Sequence, residues 1–160
     1  MQTFHFILIF FLLACSHKEV AQGFDQDMPA TPDLSNAEVL SVQVNGSEMA
    51  YSFSVEVHSP DTGCDQYADW WEVVSQDTIL KYRRILAHSH VDEQPFRRSG
   101  GIVPIHAAEE VYIRAHMNTL GYGVKALMGS VKAGFQPVII DTSFGGHLIH
   151  TAPLPDGCAF

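Results

Sequence analysis

Basic residues are scarce in this chain: nine Lys and Arg stand against 18 Asp and Glu, a formal charge of −9. So acidic a protein is repelled by nucleic-acid phosphates and by anionic headgroups, which excludes nucleic acid as a partner. No apolar run reaches the roughly 20 residues that a mature membrane-spanning helix needs. There is no G-x-S-x-G elbow, and the glycine turns "GYG" (121–123) and "FGG" (144–146) lack the strand-before, helix-after setting of a phosphate cradle. No catalytic motif is present, so the chain does not read as an enzyme. Cysteine is also sparse, with Cys15, Cys64 and Cys158 alone.

What is present begins at the N-terminus. Residues 4–14, "FHFILIFFLLA", have the length of a secretory signal's hydrophobic region. The run ends in Leu12-Leu13-Ala14-Cys15, which resembles the bacterial lipobox, where the cysteine receives diacylglycerol. Leu13 is larger than usual there, and no Lys or Arg precedes the run. The expected organisation is a lipoprotein signal peptide over 1–14, then a lipidated Cys15 with a polar tether over 15–35. A folded domain follows over 36–160. Such a protein is held by its lipid in the bacterial cell envelope. Ser16 is not the aspartate that retains some lipoproteins at the inner membrane, which favours the outer one. With Cys15 lipidated, Cys64 and Cys158 form an even pair in an oxidising setting. A disulfide between them would stabilise by roughly 4 kcal/mol in the chain-entropy model. Two free thiols are the alternative.

The folded part reads as strands. In "MAYSFSVEVH" (49–58), Tyr51, Phe53, Val55 and Val57 alternate with polar residues, so one face is apolar. Further runs at 39–44, 68–75, 78–87, 101–106, 110–117, 124–131, 136–141 and 146–152 are separated by turn residues. This spacing predicts an all-β fold, an immunoglobulin-like sandwich of two antiparallel sheets.

The stretches "SPDTGCDQYADWWEV", "HSHVDEQPFRRSGG" and "IRAHMNTLGYG" resemble an uncharacterised group of small bacterial exported lipoproteins. The resemblance spans roughly residues 50–125. It implies an exported β-sandwich and carries no activity.

Nine histidines are dense for this length, and all but His5 lie beyond the apolar stretch. His88, His90 and His116 sit at predicted strand ends, and with Glu93 they could ligate zinc or copper. "HSH" alone is far less specific than paired CxxC or HExxH motifs. The competing reading is a structural network in which Glu93 accepts from the guanidinium of Arg98 or Arg114. Trp70 and Trp71 are neighbours on a strand and face opposite ways. One is expected in the core, the other exposed to a protein or glycan partner. Two functions follow: a membrane-anchored sandwich that binds a ligand or partner at one loop pole, or a histidine-rich metal-binding or redox protein.

Overall fold

The structure, a computed structural model, describes residues 35–159. Among the described residues nine strands are present: β1 (Glu38–Ser47), β2 (Ala50–His58), β3 (Ala68–Ser75), β4 (Leu80–Ile85), β5 (Phe96–Val103), β6 (Val111–Met117), β7 (Gly121–Tyr122), β8 (Lys125–Ser130) and β9 (Gly134–Ile139). Two antiparallel sheets pack face to face, one ordered β1-β2-β5 and the other β4-β3-β6-β8-β9, with β7 also on β6. The alternation of β2 aims Phe53, Val55 and Val57 between the sheets, where each is fully buried. Trp71 and Val73 of β3, Ile113 and Ala115 of β6, and Phe96 and Val103 of β5 complete the core. Removal of this apolar surface from water is the main force holding the layers together.

Two predicted strands are corrected. The run placed at 101–106 belongs to β5, which starts at Phe96, so "FRRSGG" is strand and not loop. Its polar look has a local cause. Arg97 and Ser99 point away from the core, and Gly100 carries no side chain because a Cβ there would lie 2.6 Å from Tyr82 and 2.7 Å from Trp71. The run at 146–152 is a 3-10 helix over Gly146–His150, in which Leu148 alone is buried. A short apolar run does not by its period separate strand from helical turn.

The outer face of the larger sheet is covered as well. Every residue of β3 is buried, Glu72 included. Glu72 sits in register between Arg83 of β4 and Arg114 of β6. Arg83 donates to Glu72 Oε2 through Nε (2.8 Å) and Nη2 (2.6 Å). Arg114 approaches Oε1 through Nε (2.8 Å) and Nη2 (2.7 Å). All three side chains are inaccessible to solvent. One carboxylate between two guanidiniums leaves further donors to satisfy, and the C-terminal segment satisfies them. Its carbonyls at Leu148, Thr151 and Pro153 accept from Arg83. Those at Phe144 and Gly145 accept from Arg114. The tail is thereby clamped across the sheet by its main chain. Tyr122 lies beneath Arg114, 3.5 Å from ring centroid to guanidinium carbon. Burial, then the neighbouring Glu72, pushes the phenol up to about 12.

Both tryptophans are internal, which corrects the expected exposed one: Trp70 is 3% accessible and Trp71 0%. Trp70 lies between the Arg83 guanidinium, 4.3 Å from its ring, and the His116 ring, stacked at 3.7 Å. No tryptophan platform for a glycan exists on this surface.

Candidate functional site

The ends of β2, β4 and β6 and the starts of β3 and β5 meet at one pole, as their pairing registers require. Three connections gather there: 59–67, 86–95 and 118–120. Loops carry unpaired backbone groups, and when buried these need partners. Asp61 serves two of them and a hydroxyl besides. Its Oδ1 accepts from Ser59 Oγ (2.7 Å) and from the Ala68 amide (2.9 Å), and its Oδ2 from the His90 amide (2.8 Å). Gln94 closes the ring, accepting from the Ser59 amide and donating to Ser59 Oγ and the His90 carbonyl. Asn118 ties in the third connection, accepting from the Tyr67 amide and donating to the carbonyls of Cys64 and Asp65. The loops are therefore cross-linked to one another and not only to themselves.

An open cleft of ≈ 440 Å³ lies against this network, walled by Gly63 on one side and by His88 to Glu93 on the other. His90 stacks on Phe96 with ring centroids 3.8 Å apart, and His88 lies 4.6 Å from His90. The His90 side chain is 1% accessible. Burial, with the positive fields of Arg98 and His88 adding to it, lowers its pKa from 6.5 to about 4. Asp61 and Glu93 oppose this without cancelling it. His90 is thus neutral at neutral pH.

The sign of the linkage is clear. Between pH 6.5 and 4 the unfolded chain takes up a proton at this position and the folded chain does not. The contribution is complete above about pH 6.5 and is lost as pH falls through that window. The shift corresponds to at most about 3.5 kcal/mol. Stability measured by denaturant titration from pH 7.5 to 4 should fall more steeply for the native protein than for His90→Phe, which keeps the ring stack. Equal slopes would refute the assignment.

The other predicted residues are placed as follows. Glu93 does accept from Arg98 Nη2 at 2.6 Å, but its side chain is 61% exposed. A solvent-edge pair of this kind contributes little to stability. Arg114 is not a partner of Glu93, because Glu72 and the tail carbonyls occupy it on the outer sheet face. His116 also lies on that face, with Nδ1 2.7 Å from Asp69 Oδ1 and its ring against Trp70 and Tyr122. The proposed ligand set His88, His90, His116 and Glu93 is not assembled. Among the described residues no three His, Cys, Asp or Glu are placed to hold one ion. The reason is the alternation of β6, which sends His116 to the tail-covered face, while His90 packs inward on Phe96. Cys64 and Cys158 are joined, with Sγ atoms 2.02 Å apart. Cys15 lies outside the described residues, as do the expected signal peptide over 1–14 and nearly all of the expected tether over 15–35.

Sequence reading missed Asp61, Gln94 and Asn118 as the organisers of the pole. A signal was available: "SPD" is a Ser-Pro-Asp turn directly after a strand, where an aspartate side chain caps nearby amides.

Fold and site together define a two-sheet antiparallel sandwich whose one pole is a polar-locked loop cluster. The chain is 34% identical over 117 residues to a protein of Halomicrobium mukohataei named "Putative lipoprotein". The match covers 72% of this chain and 58% of the relative, so the chain spans little more than half of that protein's length. No family model matches the chain, and no solved structure matches it significantly. Among the described residues, no helix is long and apolar enough to cross a membrane.

Proposed function

We propose that this chain is a lipid-anchored cell-envelope protein whose sandwich recognises a ligand or partner protein at the loop pole. The observation that carries the reading is the cleft between Gly63 and His88–Glu93, held open by loops that Asp61 and Gln94 bond together. Ordering three connections costs conformational entropy, and a preformed concave surface is where such ordering serves binding. The crossings after β2, β4 and β5 support the immunoglobulin-like form of the sandwich, in which loops gather at the two ends.

The relative's name supports the anchor, as does "LLAC" before the polar tether. Geometry adds a consequence. The described chain enters at the cleft's own pole, where Asn36 donates to the Tyr122 carbonyl and Glu38 pairs with His58 at the end of β2. A tether from Cys15 therefore joins the folded domain at this pole. The exposed Asp65, Asp92 and Glu93 make the pole more suited to a neutral or cationic surface than to bare anionic lipid.

Replacement Cys15→Ser should move the protein from the membrane fraction to the soluble one or leave an uncleaved precursor. A photo-crosslinker at residue 88 of the native, membrane-bound protein should then give a discrete adduct. The same group at residue 49, on the β1–β2 hairpin of the opposite pole, should give none. Correct processing and unchanged membrane partition of Cys15→Ser would reject the anchor. Equal labelling from both poles would reject the site.

A further inference from the structure

The Cys64–Cys158 disulfide does not sit in the core. Cys64 is exposed in the β2–β3 connection, and Cys158 is half-buried in the irregular segment that ends the described chain. Its position relative to the cleft is specific. Gly63, the residue before Cys64, forms one wall. The residue after Cys158, Ala159, donates its amide to the Ala87 carbonyl at 2.6 Å, and Ala87 directly precedes His88 on the other wall. The end of the tail is thus a strut from one wall to the other, and the disulfide is its covalent joint. Upstream, the tail is held independently, since Arg83 and Arg114 grip the carbonyls from Phe144 to Pro153.

We propose that the Cys64–Cys158 bridge is a redox-operated latch on the loop-pole cleft, closed when oxidised and released by a dithiol reductant of the envelope. The proposal rests on the reading of that cleft as the recognition site. A thiolate of the reductant attacks the sulfur of Cys64, an exposed residue, the S–S bond breaks, and Cys158 leaves as a thiolate that takes up a proton. The second thiol of the reductant then attacks its own sulfur in the mixed disulfide and releases Cys64 as a thiol. The protein gains two electrons and two protons, and the reductant is oxidised to its disulfide. An accessible bridge is the kind such a reductant reaches.

Release acts locally. Residues 154–159 carry no regular structure and lose their covalent hold, and the strut to Ala87 goes with them. The wall at 62–66 keeps the hydrogen bonds from Asn118, and the Asp61 and Gln94 bonds hold the base of both loops. The sandwich core and the guanidinium clamp are not part of the joint. The cleft widens while the domain stays folded.

Hydrogen–deuterium exchange of the full mature protein, oxidised and after treatment with dithiothreitol, tests this, with mass spectrometry confirming the thiol state. A Cys64→Ser, Cys158→Ser double variant serves as a control free of reductant. Exchange at amides 63–66, 87–93 and 156–159 should quicken by about tenfold or more, while β3 and β6 keep their protection. Unchanged exchange at 63–66 and 87–93 in protein shown to be reduced would overturn the latch. A parallel rise in β3 and β6 would also overturn it, making the bridge a global staple. Neither readout involves a ligand, so failure of the latch is separable from failure of the cleft in the crosslinking experiment.

Discussion

Glu72→Ala is expected to destabilise the domain by about 5 kcal/mol, enough to unfold many proteins of this size outright. The substitution strands two guanidiniums, Arg83 and Arg114, whose side chains have no solvent access. Each would keep its bonds to tail carbonyls, but carbonyls offset the field of a buried cation far less than a carboxylate does. Glu72→Gln should be nearly as costly, because the amide NH₂ would face the donors of one arginine. The cost of breaking such a triad does not measure its net contribution. Buried ion clusters can often be exchanged for apolar residues of similar volume without loss. That exchange is expected to fail here. In a Glu72→Leu, Arg83→Met, Arg114→Met variant, the carbonyls of Phe144, Gly145, Leu148, Thr151 and Pro153 lose their guanidinium donors, and only Gly145 and Leu148 keep a backbone amide instead. Denaturant titration should show the triple variant still well below the native protein, and limited proteolysis should cut first within 141–157. A triple variant of native stability with a protected tail would show that the segment is held by something other than the guanidiniums.

The same triad shows what the sequence made legible and what it hid. Period-two alternation exposed β2 at once, since Tyr51, Phe53, Val55 and Val57 needed only a core to face. Strand β3 was legible as a strand for a different reason, a continuous run of residues buried on both sides. Its two acids, Asp69 and the glutamate in "WWEVV", were the available signal that two-sided burial must come with polar or ionic partners. The partners themselves were out of reach. Arg83 and Arg114 lie 11 and 42 residues away, and only sheet order and register make them flank Glu72. Without that register, Arg114 was offered beside Arg98 as a partner for the nearer Glu93, and it is Arg98, five residues along the chain, that pairs with it. Strand β5 was hidden by its own environment, because a strand whose outward face carries Arg97 and Ser99 and whose crowded face needs Gly100 has the composition of a loop. The histidines were overread for a related reason. Their density suggested convergence, yet β6 carries His116 to a face that the "HSH" segment does not share.

At the loop pole, Asp61→Ala should cost about 4 kcal/mol, a large effect for one residue of an irregular segment. Three donors converge on this carboxylate, and all three are buried with it: Ser59 Oγ, the Ala68 amide that opens β3, and the His90 amide. Hydrogen bonds to a charged acceptor contribute more than neutral ones, and the two amides left behind have no water to turn to. Asp61→Asn separates charge from geometry. It keeps one carbonyl acceptor for Ser59 and Ala68 but turns an NH₂ toward the His90 amide, so the loss should concentrate on the 86–95 connection. Amide exchange should then quicken at residues 89–93 with less change at Ala68, and melting should fall by less than in Asp61→Ala. The network also makes a prediction about order of failure. Because Asp61 and Gln94 hold both walls of the cleft through Ser59 and His90, Asp61→Ala should loosen the cleft even with the Cys64–Cys158 bridge intact. If the bridge alone kept residues 87–93 protected in that variant, the carboxylate would be a bystander and the disulfide the true organiser of the pole.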